Sequence, residues 1–176
     1  MAVSCVGGER LRRSWWPFRH KISAIQNGVD AAAVSAAGAG PEPAEFRRVD
    51  GNSGLNIGFV GSLDEDRKGL DVLLHAFAAL TAEPNGVTCR LWLVGSGNDE
   101  AKLRRDAERL GIAERTHFVG EQHNPHVWMR VMDVFVLPSR REGLPNALLE
   151  AMALGRCCIA SDCPTGPAEL IEPGRD

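Results

Sequence analysis

Five short apolar runs constrain the fold of this chain more than any other feature of its sequence. Each run is five or six residues long and is followed by a polar loop. Runs of this kind are typical of strands that are buried on both faces of a parallel sheet. The five runs are Ile57–Gly61, Arg90–Gly95, Thr116–Gly120, Asp133–Leu137 and Cys157–Ser161. The sequence therefore predicts a parallel sheet.

Helical patterns separate these predicted strands. After the first strand, apolar residues recur at helical spacing, at Leu70, Leu73, Leu74, Phe77 and Leu80. A second helix is predicted at Asp99–Leu110, because acids open it and Gly111 follows it, and a short one near Pro125–Val131. Strands that alternate with helices predict an α/β fold, a Rossmann-like doubly wound parallel sheet with helices on both faces. Ligands of such folds bind at the carboxyl ends of the strands.

The chain before residue 57 has weaker patterns. Ala2–Ser4 is consistent with the end of a strand, Arg10–His20 with a helix, and Lys21–Ile25 with another strand. Residues 31–56 lack periodicity and are rich in alanine, glycine and proline. This stretch is predicted to be a linker or a loop without regular structure.

Charge is unevenly distributed along the chain. Residues 1–21 contain five basic residues and one acidic residue, a net charge of +4, and the rest contains 15 basic and 22 acidic residues, a net charge of −7. The acidic body excludes a general nucleic-acid-binding function. The basic N-terminus also carries Trp15, Trp16 and Phe18, which suits peripheral contact with a membrane surface. Packing of the aromatic residues and solvation of the basic ones are the commoner outcomes.

The cysteines and the hydropathy indicate the compartment. The five cysteines form no C-x-x-C pair, and their odd number argues against a disulfide framework. Free thiols indicate a reducing cytoplasm. No apolar run approaches the roughly 20 residues of a membrane span, and the N-terminus lacks the apolar region of a signal peptide. We therefore expect a soluble chain in the cytoplasm.

The stretch from Pro138 to Gly155 is the first candidate for a functional site. It is predicted to be a strand end, a polar loop and a helix that opens at Pro145 and stops at Gly155. Glu150 is the only charged residue of a helix that is otherwise apolar, so it needs a polar partner or a ligand. With Glu142 and the arginines Arg140 and Arg141 in the preceding loop, this arrangement suits a ligand with phosphates and hydroxyls, such as a nucleotide-sugar. An equally weighted alternative is that these charges are only solvated.

Four other motifs are rejected as sites. Gly95-Ser96-Gly97 follows a strand, but Glu100 replaces the third glycine of a dinucleotide fingerprint. Lys68 is followed by glycine, not by the Ser or Thr of a P-loop. His123 and His126 lack further metal ligands nearby, so no metal is expected. Ser139 and Ser161 lack the glycines of a hydrolase nucleophile elbow.

The set of motifs resembles the group 1 family of retaining glycosyltransferases, which have the GT-B fold. Four stretches carry the resemblance over residues 21–173: Ile25–Asp30, Phe59–Gly69 with its Lys68-Gly69 loop, Leu93–Gly97, and Glu142 to Glu150 with seven residues between. The last lies within Pro138–Gly155, which is similar to the family's "P-S-x-x-E-G-L-P-x-x-x-L-E-A-M-A-x-G" pattern. In this order and spacing the four stretches form a specific signature.

The resemblance implies roles for individual residues. Lys68 would neutralise the leaving diphosphate, Glu142 would contact hydroxyls of the transferred sugar, and these two are the expected catalytic residues. Glu150 would accept hydrogen bonds from the ribose hydroxyls. Backbone N–H groups near the loop and helix start would meet the phosphates. The full expected donor-binding set is Gly61, Ser62, Arg67, Lys68, Gly95, Arg140, Arg141, Glu142, Gly143, Leu144, Asn146, Glu150 and Glu169. The donor is expected to be UDP-linked, with no cofactor and no metal.

Two departures from the family pattern qualify this expectation. Ser62 stands where the family commonly has an arginine on the diphosphate, so Arg67, Arg140 or Arg141 must compensate. The resemblance also implies that the acceptor-binding domain and the end of the donor domain are not part of this sequence. By resemblance, residues 1–26 are a remnant of the last strand and helix of an acceptor domain, residues 27–56 an interdomain linker, and residues 57–176 a truncated nucleotide-sugar-binding domain.

The expected function is therefore that of the donor domain of a retaining glycosyltransferase. It would transfer a hexosyl-type sugar to a glycan or lipid-linked acceptor, in the cytoplasm or at the inner face of the cell membrane. Two alternatives remain open. One is a non-catalytic fragment that binds a nucleotide and transfers nothing. The other is a glycoside hydrolase that uses Glu142 and Glu150 as its carboxylate pair.

Overall fold

The computed structural model describes residues 5–46, 54–83 and 88–172, and its centre is a five-stranded sheet. All strand pairs are parallel, in the order β3-β2-β1-β4-β5. The strands are β1 (Leu55–Val60), β2 (Cys89–Val94), β3 (Thr116–Gly120), β4 (Val134–Leu137) and β5 (Cys157–Ala160). The predicted parallel sheet is confirmed.

The helices form two groups. The α-helices of the described residues are α1 (Cys5–Ser14), α2 (Ala31–Gly38), α3 (Glu65–Lys68), α4 (Leu70–Ala82), α5 (Glu100–Arg109), α6 (His126–Val131) and α7 (Asn146–Ala153). Helices α2, α6 and α7 contact one another, and α4 contacts α5. The two groups flank the sheet, which confirms the Rossmann-like doubly wound α/β fold.

The core lies on the central strands. Phe59 in β1 and Leu91 and Leu93 in β2 are completely buried, as expected for strands that are covered on both faces. Strand β5 is an edge strand of the described sheet, and its side chains alternate between exposed and half-buried. The sheet is thus best covered around β1, the central strand at which the strand order reverses.

The predicted strand at Lys21–Ile25 is wrong. Of this stretch only Lys21 lies in a helix, as the last residue of the 3₁₀-helix Trp16–Lys21, and Ile25 is 60% exposed. Pro17 suits such a turn because its ring fixes φ and it has no N–H to satisfy. The helix predicted at Arg10–His20 is correspondingly divided, since α1 ends at Ser14. The strand predicted at Ala2–Ser4 lies outside the described residues.

The predicted absence of regular structure in residues 31–56 is also wrong where the structure describes them. Asp30 caps α2 by accepting a hydrogen bond from the N–H of Ala33 at 3.0 Å, and alanine is the strongest helix former. Ala44–Phe46 forms a 3₁₀-helix, and the buried Phe46 stacks on Trp92 with ring centroids 4.2 Å apart. The segment is packed on the domain. Its assignment as an interdomain linker stays a prediction.

Replacing Gly69 by Ala is expected to destabilise the fold more than replacing Gly111. Both glycines have left-handed backbone, with φ of 62° and 70°, so both substitutions carry roughly 1–2 kcal/mol of strain. A Cβ at Gly69 would lie 2.2 Å from the carbonyl oxygen of Pro138, whereas at Gly111 it would meet nothing within 4 Å. We expect urea denaturation to give Gly69→Ala an additional loss of about 1–3 kcal/mol. Equal losses would show that the loop after β4 moves away freely.

Candidate functional site

The candidate site lies at the carboxyl ends of the strands, where the strand order reverses. The chain runs from β1 to its neighbour β2 and then to β3, and later returns to the other side of β1 as β4. At such a switch point the loops after the two adjacent strands leave in opposite directions and open a crevice. Here these are the loops after β1 and β4.

The two loops are joined by backbone contacts. The N–H of Arg140 donates to the carbonyl oxygen of Arg67 at 2.9 Å. Gly69 permits this approach, because any side chain there would collide with the carbonyl of Pro138. The loops that carry the two predicted catalytic residues are therefore held together by the main chain.

Lys68 and Glu142 form an ion pair between these loops. Lys68 Nζ lies 2.5 Å from Glu142 Oε1, and the two side chains are only 13% and 8% exposed. The buried Ser139 donates its hydroxyl hydrogen to the same carboxylate oxygen at 2.7 Å. A carboxylate that is shielded from water loses its hydration, and here a cation and a hydroxyl donor compensate for that loss. An ammonium has three N–H donors, so the pair leaves Lys68 donor capacity for an anionic ligand.

A cavity of about 280 Å³ opens at the same edge of the sheet, at the ends of β1 and β2. It contains three of the predicted donor-binding residues, Gly61, Ser62 and Gly95. Sequence reasoning missed Ser96 and Glu121, which also line it and whose side chains lie 3.4 Å apart. Their positions just after β2 and β3 are the signal that could have identified them.

Arg67 directs its guanidinium to Ser62. Its Nη2 donates to the hydroxyl oxygen of Ser62 at 2.7 Å, and its Nε donates to Asp64 Oδ2 at 3.1 Å. The backbone N–H and then the guanidinium of Arg67 hold the pKa of Asp64 below its usual value. A cation thus stands at the serine that replaces the arginine of the resembled pattern.

The predicted donor-binding residues Arg140 and Arg141 form ion pairs with helices α3 and α4. Arg140 Nη2 lies 2.6 Å from Asp71 Oδ2, and its Nη1 donates to the carbonyl oxygen of Glu65 at 3.0 Å. Arg141 pairs with Asp66 at the surface. These contacts attach the loop after β4 to the helices that follow β1.

Helix α7 begins at Asn146, one residue later than predicted. Pro145 occupies the preceding cap position with φ −78° and ψ 105°, and no side chain caps the helix. Gly143 and Leu144 lie just before this N-terminus, whose N–H groups favour an anion. Asn27 donates its amide hydrogen to Asn146 Oδ1 at 2.8 Å. Asn27 belongs to Ile25–Asp30, one of the four stretches that carry the family resemblance, which we call the crossing segment. This segment therefore lies beside the start of α7.

Glu150 lies in the second turn of α7, and a histidine faces it. Its Oε2 is 3.5 Å from Nε2 of His126, and the side chains are 27% and 21% exposed. From the sequence alone, His126 is only a candidate metal ligand, and that role is rejected. The described residues contain no group of three metal-ligating side chains.

Glu169 contacts the N-terminal segment. Its Oε2 accepts hydrogen bonds from the N–H of Cys5 at 2.9 Å and from the side-chain amide of Gln26 at 3.2 Å. The predicted donor-binding residue therefore also attaches α1 and the crossing segment to the 3₁₀-helix Pro167–Glu169.

No helix of the described residues is both long and apolar enough to cross a membrane.

Comparison with known proteins gives a consistent result. The family model for glycosyl transferases group 1 matches residues 54–176. An uncharacterised glycosyltransferase of Methanocaldococcus jannaschii is 29% identical over 157 residues, which are 89% of this chain and 37% of that protein. The apo form of the lipopolysaccharide outer core galactosyltransferase WaaB superposes with a TM-score of 0.72 and 28% identity, over 98% of this chain and 45% of that chain.

A third comparison concerns the fold alone. The complex of Anabaena HepE with UDP and glucose superposes with a TM-score of 0.75 at 21% identity, over 98% of this chain and 46% of that chain. The chain therefore spans less than half the length of each of these three proteins.

Arg140→Gln is expected to lower stability more at neutral pH than in strong acid. The hydrogen bond from Arg140 is the main cause that lowers the pKa of Asp71 below 3.8. A carboxyl group whose pKa is lowered by folding stabilises the fold above its unfolded pKa, and this contribution is lost as the pH falls through the folded value. Because the pair is partly exposed, we expect Tm at pH 7 to fall by about 1–2 °C. The difference from the native chain should shrink towards pH 2, where only the lost hydrogen bond to the Glu65 carbonyl oxygen remains.

Arg141→Gln is the matched control. Its ion pair with Asp66 leaves the two side chains 68% and 83% exposed, so we expect no measurable change in Tm at either pH. A deficit of Arg140→Gln that persisted undiminished in acid would contradict the role given to the Asp71 carboxylate.

Proposed function

Because the chain belongs to the glycosyl transferases group 1 family, we propose that it is the donor-binding part of a retaining glycosyltransferase. It would bind a UDP-linked hexose for transfer to a glycan or lipid-linked acceptor. The observation that carries this proposal is the shielded ion pair of Lys68 with Glu142, at the same carboxyl edge of the sheet as the cavity at the ends of β1 and β2. This arrangement offers a cation and a carboxylate side by side to a ligand that has both phosphates and hydroxyls.

The nucleotide would occupy the cavity. Glu150 would accept hydrogen bonds from the ribose hydroxyls, because an ionised carboxylate accepts hydrogen bonds only. The diphosphate would meet Lys68, the guanidinium of Arg67 near Ser62, and the N–H groups at the start of α7. The complex of the structural neighbour HepE with UDP supports the choice of base.

The reaction would transfer a glycosyl group from phosphate to an acceptor hydroxyl. The bond between the anomeric carbon and the diphosphate oxygen breaks, the acceptor oxygen bonds to that carbon on the same face, and its proton passes to the leaving diphosphate. Negative charge develops on the diphosphate as positive charge develops on the sugar ring. Cations that are already in place on the phosphate side stabilise this separation. Lys68 and Arg67 supply two such cations, so we propose that the reaction needs no metal.

Glu142 would contact the sugar. Lys68 and Ser139 hold its carboxylate in one orientation, and a fixed carboxylate suits hydroxyls of the transferred hexose. This pairing disfavours a glycoside hydrolase. Such an enzyme needs two carboxyl groups facing each other across the scissile bond, and one of the two candidates here is bound to a lysine.

The chain spans less than half of its relatives, so a binding-only module is the second candidate. Such a module would hold the nucleotide-sugar while the acceptor site lay elsewhere. Transfer of radiolabelled sugar by the isolated chain would exclude it. Nucleotide binding without transfer would support it.

The N-terminal helices present an apolar and basic surface, which we assign to the surface of an anionic bilayer. Leu11, Trp15 and Phe18 are 39%, 59% and 50% exposed. Arg10 and Arg12 lie on α1 together with Leu11. Aromatic residues flanked by basic ones suit the interface of an anionic bilayer. A lipid-linked acceptor would be found at such a surface.

UDP is expected to stabilise the chain against heat, and GDP and ADP to do so less. A ligand at about 100 times its Kd contributes about 2.7 kcal/mol, which for a chain of this size corresponds to an increase in Tm of about 5–10 °C. Glu150→Gln should reduce the increase, because the ribose loses its charged acceptor. The measurement is thermal unfolding of the purified chain with and without each nucleotide. A cooperative transition that no nucleotide shifts would refute the donor site.

Vesicles with anionic lipid are expected to bind the chain, and vesicles of neutral lipid are not. Trp15→Ala and Phe18→Ala together should weaken this binding about 10-fold or more, because both rings would leave the interface. Co-sedimentation at low and at high salt measures it. Leu80→Ala, which changes an exposed apolar residue of α4, is the control. Equal binding to neutral and anionic vesicles would contradict the assignment.

A further inference from the structure

We infer that His126 is a positioning residue for Glu150, and that protonation of its imidazole tightens nucleotide binding. The inference rests on the proposed role of Glu150 as the acceptor of the ribose hydroxyls. It assigns to the site a residue that lies outside the predicted donor-binding set.

The geometry brings the two side chains together from adjacent helices. His126 is the first residue of α6, Glu150 lies in α7, and the two helices are in contact. Nε2 of His126 is buried and has no hydrogen-bond partner among the described residues. Its distance of 3.5 Å from Glu150 Oε2 is longer than an ordinary hydrogen bond to a carboxylate.

Asn124 determines which ring nitrogen carries hydrogen. The side-chain amide nitrogen of Asn124 donates to the carbonyl oxygen of Ala37 at 2.9 Å, so its Oδ1 faces His126. That oxygen accepts the backbone N–H of His126 at 3.2 Å and lies 3.3 Å from Nδ1. Because an amide oxygen can only accept, the contact requires a hydrogen on Nδ1. In the neutral ring, Nε2 then directs a lone pair towards the carboxylate of Glu150.

Protonation reverses this interaction. It adds a hydrogen to Nε2 and leaves the contact with Asn124 intact, so the ring can then donate to Glu150 Oε2 as a charged partner. The carboxylate is held in one orientation and keeps lone pairs for the ribose. A site that is ordered before the ligand arrives binds more tightly, because the ligand does not have to order it.

The other charged or titratable groups near His126 either bond to other atoms or lie at the exposed surface. Among the elements packed against α6, α2 and β1 contain no charged residue, and Glu150 is the one charge of α7. Within α6, Arg130 donates to the carbonyl oxygen of Gly40 at 3.0 Å. In the loop before α6, Glu121 accepts from Ser96 at 3.4 Å and His123 is exposed. The carboxylate of Glu150 is thus the charged group that responds to His126.

The experiment is calorimetric titration of the 176-residue chain with UDP at pH 6 and pH 8. From pH 8 to pH 6, we expect the affinity of the native chain for UDP to increase roughly 3- to 10-fold more than the affinity of His126→Gln does. The glutamine amide can donate to Glu150 at both pH values, so this variant should retain affinity but change only as the phosphate of UDP titrates. His126→Leu offers no donor and should bind weakly at both. His123→Gln, in the same loop, should behave as the native chain.

The outcomes separate this inference from the proposed function. UDP binding that requires Glu150 but has the same pH dependence in the native chain and in His126→Gln would overturn the inference and leave the donor site standing. Tighter binding at pH 8, lost in His126→Gln, would show that the imidazolium competes with ribose, and would also overturn it. A folded native chain that binds no UDP at either pH would overturn both.

Discussion

The contact between the loops after β1 and β4 is the constraint on which the site depends. Lys68 and Glu142 are separated by 73 intervening residues and belong to different β-α units, yet they form a 2.5 Å ion pair. A pair this shielded is favourable only if its partners are already held in place, because removing two charges from water is costly. The backbone supplies this placement, through the hydrogen bond from Arg140 to Arg67 and the close approach at Gly69.

The arginines of the site illustrate how this constraint distributes charge. Arg140 and Arg141 use their guanidinium groups to attach the loop after β4 to α3 and α4. Arg67 remains near the cavity, with its guanidinium on Ser62. Arg140 and Arg141 thus support the loops, whereas Arg67 lies near the proposed diphosphate. In the sequence, all three arginines lie beside the same motifs.

The N-terminal part of the chain is ordered by other interactions than those of the sheet. Helix α2 and Phe46 are packed on the domain because capping by Asp30 and stacking on Trp92 compensate for a segment without a clear hydrophobic pattern. Asn27 and Gln26 reach Asn146 and Glu169. The crossing segment thus contacts two of the predicted donor-binding residues through its side chains.

Much of the sheet and part of the site could be predicted from local patterns. Short apolar runs followed by polar loops specify buried parallel strands, because only such strands are apolar on both faces. Lys68 follows the first strand and Glu142 follows the fourth. Both could be placed at the correct edge, because all parallel strands share one carboxyl edge. Lys21–Ile25 could not be assigned correctly, since a short run with mixed polarity has no local signal that distinguishes a strand from irregular backbone.

By itself, the sequence determined the doubly wound fold, the family and the edge at which Lys68 and Glu142 lie, because these depend on periodicity and on the order of motifs. Only the tertiary structure decided which charges pair. It placed Arg140 on Asp71, Lys68 on Glu142 and His126 against Glu150. The physical reason is that hydrogen bonds and ion pairs require atoms within about 3–4 Å, and for residues from different β-α units that proximity is set by how the helices and loops pack, which no local pattern encodes.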